Sequence, residues 1–541
     1  MDYSQPVTQL GTHDVFNQPD PKRLKNYWSQ DRALQDHAGA NGARGQHLSQ
    51  VGARFGSEVL QIAAEDARRD LPRLKLFDRA GRRVDEVEFH PGYHQLMAAG
   101  LEAGYASVAW DGQAGGHATH AAMVYYQAQL EPGVACPLTM TYAAVPALRN
   151  QPELEDVWNS RLTSGVYDPS LTPIEGKAGA TLGMAMTEKQ GGSDVRANTT
   201  VARRDGDHYR LRGHKWFCSA PMCDGFLTLA QAEGGLTCFL VPRWLEGERN
   251  GLRLQRLKDK LGNKANASSE IEYHDALAYR VGEEGAGVRT IIEMVHHTRL
   301  DTVLAPAGLM RAALEEAHWW VNGRSTFQKR LIDQPLMRSV LADLAVDTEA
   351  ALSVGMMLAG AFDRDDDESR ALARIGVALA KYLNNKRCIG VIAEAMEVLG
   401  GMGYVEETPM PMIYREAPLN GIWEGSGNVI CLDVLRALVK QPAAGDALMN
   451  LLASVTGSDA RYDAALKAHV GRWPRLPAEA EARWFTESLA NLLTAASLIK
   501  TAPSAVAEGF VGSRVAGDRG SFAGAVSDLR VDDILARLEV G

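Results

Sequence analysis

The chain has 541 residues, 45% hydrophobic and 23% charged, with a net charge of -10. That length exceeds what one core can serve and predicts three or four domains in a globular protein. The acidic balance argues against a nucleic-acid binder recognisable from global charge.

The N-terminal stretch MDYSQPVTQLGTHDVFNQPDP is polar and lacks the basic-then-apolar pattern of a secretory signal. No apolar run is read as long enough to span a bilayer, so the expectation is a cytoplasmic protein with no membrane contact. The six cysteines, Cys136, Cys218, Cys223, Cys238, Cys388 and Cys431, form no CxxC pair. They read as buried thiols, with no metal site.

Residues 1–180 read as a helical domain, with apolar positions at helical spacing over 47–70, 117–130 and 138–150 and a polar break at HAGANGARGQ. Residues 181–288 read as a β-domain. ANTTVARRDGDHYRLRGHKWFCS alternates around a turn at Asp205-Gly206, and GFLTLAQ, LTCFLVP and SSEIEYHDA are further strands. Residues 289–440 return to a helical period, with an interruption expected near Pro306 and helices over 333–362, 368–400 and 428–440. KQPAAGD reads as a linker, and 441–541 as a further helical unit. A crevice is expected where the β-domain meets the helices.

Several segments carry chemistry-bearing residues. AMTEKQGGSDVRA offers the Thr187 and Ser193 hydroxyls, with Gly191 and Gly192 allowing close backbone approach; taken alone it reads first as a Gly-Gly turn capped by Asp194. GHKWFCS places Phe217 and Ser219 on one strand face, suited to a planar ring or to a small core. Arg299 falls within an apolar helical pattern and requires an anionic partner; its neighbours His296 and His297 read as partly exposed. Arg324, in GRSTFQKRLIDQPL, suits a phosphate. EAMEVLGGMGYVEE ends a helix in glycines, but follows no strand and is no dinucleotide fingerprint. In YREAPLNGIWEGSGNVICLDVLR one carboxylate, Glu424, stands between Trp423 and Gly425.

Together these segments resemble the acyl-CoA dehydrogenase superfamily over roughly residues 60–440. AMTEKQGGSDVRA matches the family's first diagnostic pattern at every constrained position, and the spacing from YREA to WEG equals the family's. FNQP, CPLTMTYAA, RLKDKLGNKANAS and IWEGSGNVICLDVLR, with the C-terminal extension, resemble the AidB-type flavoproteins of the adaptive response to DNA alkylation.

The resemblance implies an α+β, mainly α fold: a helical N-terminal domain, a β-barrel or sandwich, a four-helix bundle and the extension. It implies FAD held by Met186, Thr187, Gly192, Ser193, Phe217, Ser219, Trp423, Ser426 and Asn428, and by Arg324 and Phe327 reaching a neighbouring subunit of a homotetramer. Glu424 matches the catalytic base and Arg299 the arginine that organises the site. Thr298 stands where some relatives carry the base. Glu397 replaces a usual glutamine, Gln328 a usual glycine, and no CoA-binding set is legible.

Two functions follow. One is an AidB-type flavoprotein with weak acyl-CoA dehydrogenase activity and a role in the alkylation response through double-stranded DNA. The alternative is a metabolic dehydrogenase of a short or branched acyl-CoA that binds no DNA. The extension holds ten Lys and Arg against twelve Asp and Glu, a net of -2. Only the local groups Arg472 and Arg475, and Arg514 and Arg519, suit phosphates.

Overall fold

The computed structural model describes residues 6–20, 22 and 25–539; residues 1–5, 540 and 541, at the outer edges of the expected domains, lie outside them. The first helices are α1 (Arg32–Ala40), α2 (Gly45–Phe55) and α3 (Glu58–Arg69). The 47–70 pattern is thus two helices. They part at Gly56, where a Cβ would lie 1.7 Å from the Lys25 carbonyl oxygen, so only glycine permits that approach.

An antiparallel hairpin follows, β1 (Arg73–Phe77) with β2 (Arg83–Glu88), which the helical reading of 1–180 did not foresee. Four helices complete the region: α4 (Pro91–Glu102), α5 (Gly116–Leu130), α6 (Pro132–Leu148) and α7 (Pro152–Leu162).

The β-domain contains β3 (Leu182–Ala185), β4 (Val201–Asp205), β5 (His208–Ser219), β6 (Gly225–Ala232), β7 (Gly235–Pro242), β8 (Trp244–Leu245), β9 (Glu248–Arg249), β10 (Leu252–Leu257) and β11 (Ser268–Val281). The turn between β4 and β5 falls at Gly206 with φ +65°, as its sequence demands. β11, β5, β4, β6 and β7 pair in a closed ring, flanked by β10 and β3.

The helical bundle begins with α8 (Gly287–Gly323). It runs through Pro306 unbroken, which corrects the expected interruption. Proline removes the N–H that would bond the Thr302 carbonyl. Asn385 Nδ2, from a neighbouring helix, donates to that carbonyl at 3.0 Å instead. The small hairpin β12 (Ser325–Thr326) and β13 (Lys329–Arg330) leads to α9 (Pro335–Phe362), α10 (Asp367–Val398), α11 (Met410–Glu416) and α12 (Gly427–Lys440).

An 18-residue window of α9 has a mean hydropathy of 1.3 and passes the length and composition test for a membrane span, which corrects the sequence reading. The whole window is buried inside the fold, as the central helix of a bundle must be.

The expected linker is also corrected. Pro442 opens α13 (Pro442–Ala453) after Gln441 alone, in the first-turn position that tolerates proline. Then come α14 (Ala460–Arg472), α15 (Ala482–Thr501), α16 (Ser504–Phe510), a π-helical turn at Val511–Val515 and α17 (Val531–Leu535). The extension is fastened to the bundle by polar contacts from its interior. Ser353 and Ser497 hydroxyls meet at 2.6 Å, and Arg537 pairs with Glu349 at 2.7 Å.

Candidate active site

Three elements converge on Glu424: the first half of α8, the first half of α10, and the turn ahead of α12. Glu424 has φ +57° and Gly425 φ +103°. A carboxylate on a left-handed residue is disfavoured locally and persists only where its surroundings enforce it. Here Arg299 Nε donates to the Glu424 carbonyl oxygen at 3.0 Å. Lys381 Nζ donates to the carbonyls of Asn420 and Gly425, each at 2.9 Å. Trp423 Nε1 donates to Asn420 Oδ1 at 2.8 Å.

The anionic partner that Arg299 requires is Asp433 on α12. Arg299 Nη1 reaches it at 2.9 Å, and Arg374 reaches its other oxygen at 2.9 Å. The Glu424 carboxylate therefore has no cation at ion-pair distance among the described residues. Burial raises its pKa, while Arg299, Thr298 and Lys381 oppose the rise without cancelling it. A half-buried carboxylate in this state is a better base than one in water.

Behind the turn, His296 stacks on Phe362 at 4.8 Å. His297 is buried, not partly exposed as the sequence suggested; Trp110, His117 and Tyr142 lie within 5.7 Å of its ring. Burial pushes His296 down to about 3 and His297 to about 4, so both are neutral near pH 7 and neither supplies a cation.

The loop after β3 carries Met186, Thr187, Gly192 and Ser193. A Cβ at Gly192 would stand 2.5 Å from Thr187 Oγ1; the glycine is needed for the loop's own closure. Ser193 is exposed and Met186 and Thr187 half-buried. Asp194 makes no side-chain cap bond. The loop's anchor is a residue that sequence reasoning missed. Glu188 is fully buried, pairs with Lys215 at 2.8 Å, and accepts from Thr199 N at 2.7 Å. Burial pushes Glu188 up, but Lys215 and the Thr200 and Thr199 donors outweigh it and hold it at about 2.

Phe217 is 47% exposed and shares its strand face with Ser219. The Ser219 hydroxyl meets Ser268 Oγ at 3.2 Å, and Lys260 Nζ donates to Ser268 Oγ at 3.1 Å. Cys136 lies against Ser219 and Asn266, its thiol pushed up to about 12 by burial. All six cysteines are free and buried. Lys381 and Asp433 were not singled out from sequence, because their partners come from distant segments.

Ser426 caps the start of α12 but its hydroxyl makes no cap bond; Ser426 and Asn428 are exposed and Trp423 half-buried. Arg324 and Phe327 are not brought to this site. They lie beyond the end of α8, about 36 Å of helix from Arg299 at 1.5 Å per residue. Arg324 packs over Trp320 and donates to the Asn17 carbonyl at 3.2 Å. Phe327 is 95% exposed at the hairpin tip, with φ +51°, followed by Gln328 at φ +63°. Glu397 is exposed on α10.

The four arginines proposed for phosphates divide. Arg472 and Arg475 are exposed, and Arg472 lies 4.0 Å over the Trp484 ring. Arg514 and Arg519 correct the expectation. The Arg514 side chain is 2% exposed, paired with Asp347 at 2.6 Å and with Asp343. Arg519 pairs with Asp343 at 3.3 Å. Both neutralise acids on α9 and fasten the extension.

Comparison with known proteins adds to this geometry. Residues 17–169 match the adaptive response protein AidB N-terminal domain. Residues 183–276 match the acyl-CoA dehydrogenase middle domain, and 285–439 its C-terminal domain. The chain is 44% identical over 506 residues to a candidate acyl-CoA dehydrogenase of Escherichia coli (strain K12), AidB, covering 92% of this chain and 93% of that protein. It is 34% identical over 413 residues to acyl-CoA dehydrogenase family member 11 of Caenorhabditis elegans, covering 72% and 66%. The crystal structure of Caenorhabditis elegans ACDH-11 in complex with C11-CoA superimposes with a TM-score of 0.83 at 26% identity, covering 98% of this chain and 95% of that one.

Proposed function

The chain belongs to the acyl-CoA dehydrogenase family, in its AidB branch, and from that premise we propose that Glu424 is the base of an acyl-CoA dehydrogenation in this protein. Its family is one of FAD-dependent oxidoreductases, and the residues present fit that cofactor. Phe217 and Ser219 offer an exposed ring and a hydroxyl on one face. Ser426 offers an unbonded hydroxyl at the start of a helix whose first amides lack helical acceptors. Asn266, beside Cys136, keeps a buried Oδ1 without a partner. Such a set suits a planar ring joined to a diphosphate.

FAD, when bound, supplies the acceptor for a hydride leaving the substrate β-carbon. The chain's own part is proton chemistry and position. The Glu424 carboxylate takes the α-proton, which a thioester carbonyl makes acidic. Arg299 holds the Glu424 backbone without neutralising its side chain, and Asp433 holds Arg299. The substrate class is an acyl-CoA, supported by the C11-CoA of the Caenorhabditis elegans structure.

The observation that carries the reading is the unpaired, pKa-raised carboxylate on a strained turn. The test is anaerobic bleaching of the flavin by short acyl-CoAs such as isovaleryl-CoA. Glu424→Gln should keep FAD and lose about 10²–10⁴ of the bleaching rate; undiminished bleaching would remove Glu424 as base.

The exposed Phe327 tip, too far along α8 to serve its own chain's site, supports a homo-oligomer, by resemblance a tetramer, in which it reaches a partner's cofactor. A second reading adds a role in DNA alkylation response through duplex binding. It draws on the AidB N-terminal match, on exposed Arg475 and on exposed Arg472 over the Trp473 and Trp484 rings, a pairing of cation and aromatic suited to nucleic acid.

A further inference from the structure

Lys381 stands in α10 at 2% exposure. Its ammonium meets no carboxylate at ion-pair distance among the described residues. The partners are main-chain oxygens, those of Asn420 and Gly425, both at 2.9 Å. Burying an ammonium without a counter-ion is costly, and a methionine of similar length would fill the same space without that cost. The two carbonyls explain the choice, because they stand on either side of Glu424.

The turn between them is one the chain would not adopt unaided. Glu424 at φ +57° and Gly425 at φ +103° are adjacent positive-φ residues. Lys381 ties the two ends, and Arg299 fixes the middle through the Glu424 carbonyl at 3.0 Å. Removing Lys381 removes both bonds that tie the ends.

We propose that Lys381 is a positioning residue for the Glu424 base, clamping the 420–425 turn through its bonds to the Asn420 and Gly425 carbonyls. The proposal rests on the reading of Glu424 as base. Charge adds a second effect. The groups facing Lys381 are Glu424 on the turn, Arg299 on α8 and Lys386 on its own helix; burial pushes Lys381 down to about 7, Glu424 opposes, and Arg299 and Lys386 add to the fall. Protonated Lys381 in turn steadies the Glu424 carboxylate, so its loss raises the Glu424 pKa.

The test compares holoprotein carrying Lys381→Met or Lys381→Gln with wild type, by flavin bleaching with isovaleryl-CoA across pH and by hydrogen–deuterium exchange of residues 420–426. Lys381→Met should retain FAD and bleach about a hundred-fold more slowly. The acid limb of its rate profile should move to higher pH, and the turn amides should exchange about tenfold faster. Lys381→Gln, which keeps a donor without charge, should recover part of the rate with the limb still displaced. A wild-type rate, or unchanged exchange in the turn, overturns the proposal. If Lys381→Met does not fold, Lys381→Gln is read against the same two criteria. If wild type is not bleached, or Glu424→Gln bleaches as wild type, the base reading falls by itself. Exchange alone then decides the clamp, unchanged protection overturning it.

Discussion

Arg299 holds Glu424 by its backbone and not by its charge: the guanidinium Nε meets the Glu424 carbonyl at 3.0 Å while Nη1 pairs with Asp433 at 2.9 Å. An arginine beside a catalytic carboxylate would ordinarily pair with it and depress its pKa. Asp433 prevents that by taking the arginine first. The turn is thus held by its backbone while the Glu424 carboxylate stays outside the ion pair.

Asp433→Asn should undo this arrangement. Arg299 and Arg374 lose their shared anion, and Arg299 is left to act on the Glu424 carboxylate, whose pKa it already lowers. The Glu424 pKa then falls, so the acid limb of the bleaching profile shifts to lower pH while the maximal rate drops. Removing one partner of a largely buried pair also costs about 3 kcal/mol, measurable by denaturant unfolding. An unshifted limb would mean that Asp433 serves stability alone.

The order of domains and the position of Glu424 were legible because both rest on local pattern: a period of two between helical stretches, and a carboxylate between an aromatic and a glycine. What was not legible depends on residues far apart in sequence. Arg514 looked like a surface cation because its counter-ion Asp343 lies 171 residues away. Pro306 looked like a helix break because the donor that replaces its missing N–H comes from Asn385 on α10. His297 looked exposed because the rings around it, Trp110, His117 and Tyr142, come from the N-terminal domain. Lys381 passed as one more lysine on a helix until the turn it holds was in view.

The Glu188–Lys215 pair should appear in the acid stability of the β-domain. Glu188 is held at about 2 in the folded chain against about 4.3 when unfolded. A carboxylate with a depressed folded pKa contributes stability that is present above its unfolded pKa and lost as pH falls through the folded one. Glu188→Gln should therefore narrow its stability deficit relative to wild type between about pH 4.3 and 2. Thermal unfolding of both proteins over that range checks it; a deficit constant with pH would assign the loss to packing.

Gln328 is a second strained position, open to simple correction. Phe327 and Gln328 form the two-residue tip of the β12–β13 hairpin, both at positive φ, a conformation that glycine adopts at no steric cost. Gln328→Gly should stabilise the folded chain by about 1 kcal/mol, read by denaturant unfolding. A destabilised variant would mean that the glutamine makes a contact worth more than its backbone strain.

The arginines of the extension divide into exposed and inward-paired ones. Arg472 and Arg475 are exposed, whereas Arg514 is turned inward onto Asp343 and Asp347. If the extension binds a duplex, replacing Arg472 and Arg475 with alanine should weaken binding and reduce its logarithmic salt slope by about 2, near 0.9 per phosphate contact, with the fold intact. Arg514→Ala should act differently. It leaves Asp343 with Arg519 alone and Asp347 with Arg387 alone and costs about 3 kcal/mol in unfolding, while the slope for whatever folded protein remains stays that of wild type. Duplex titrations at several salt concentrations, paired with unfolding curves, distinguish the two effects. A slope reduced only by Arg514→Ala would reverse the assignment and make the inward arginine the one that meets DNA.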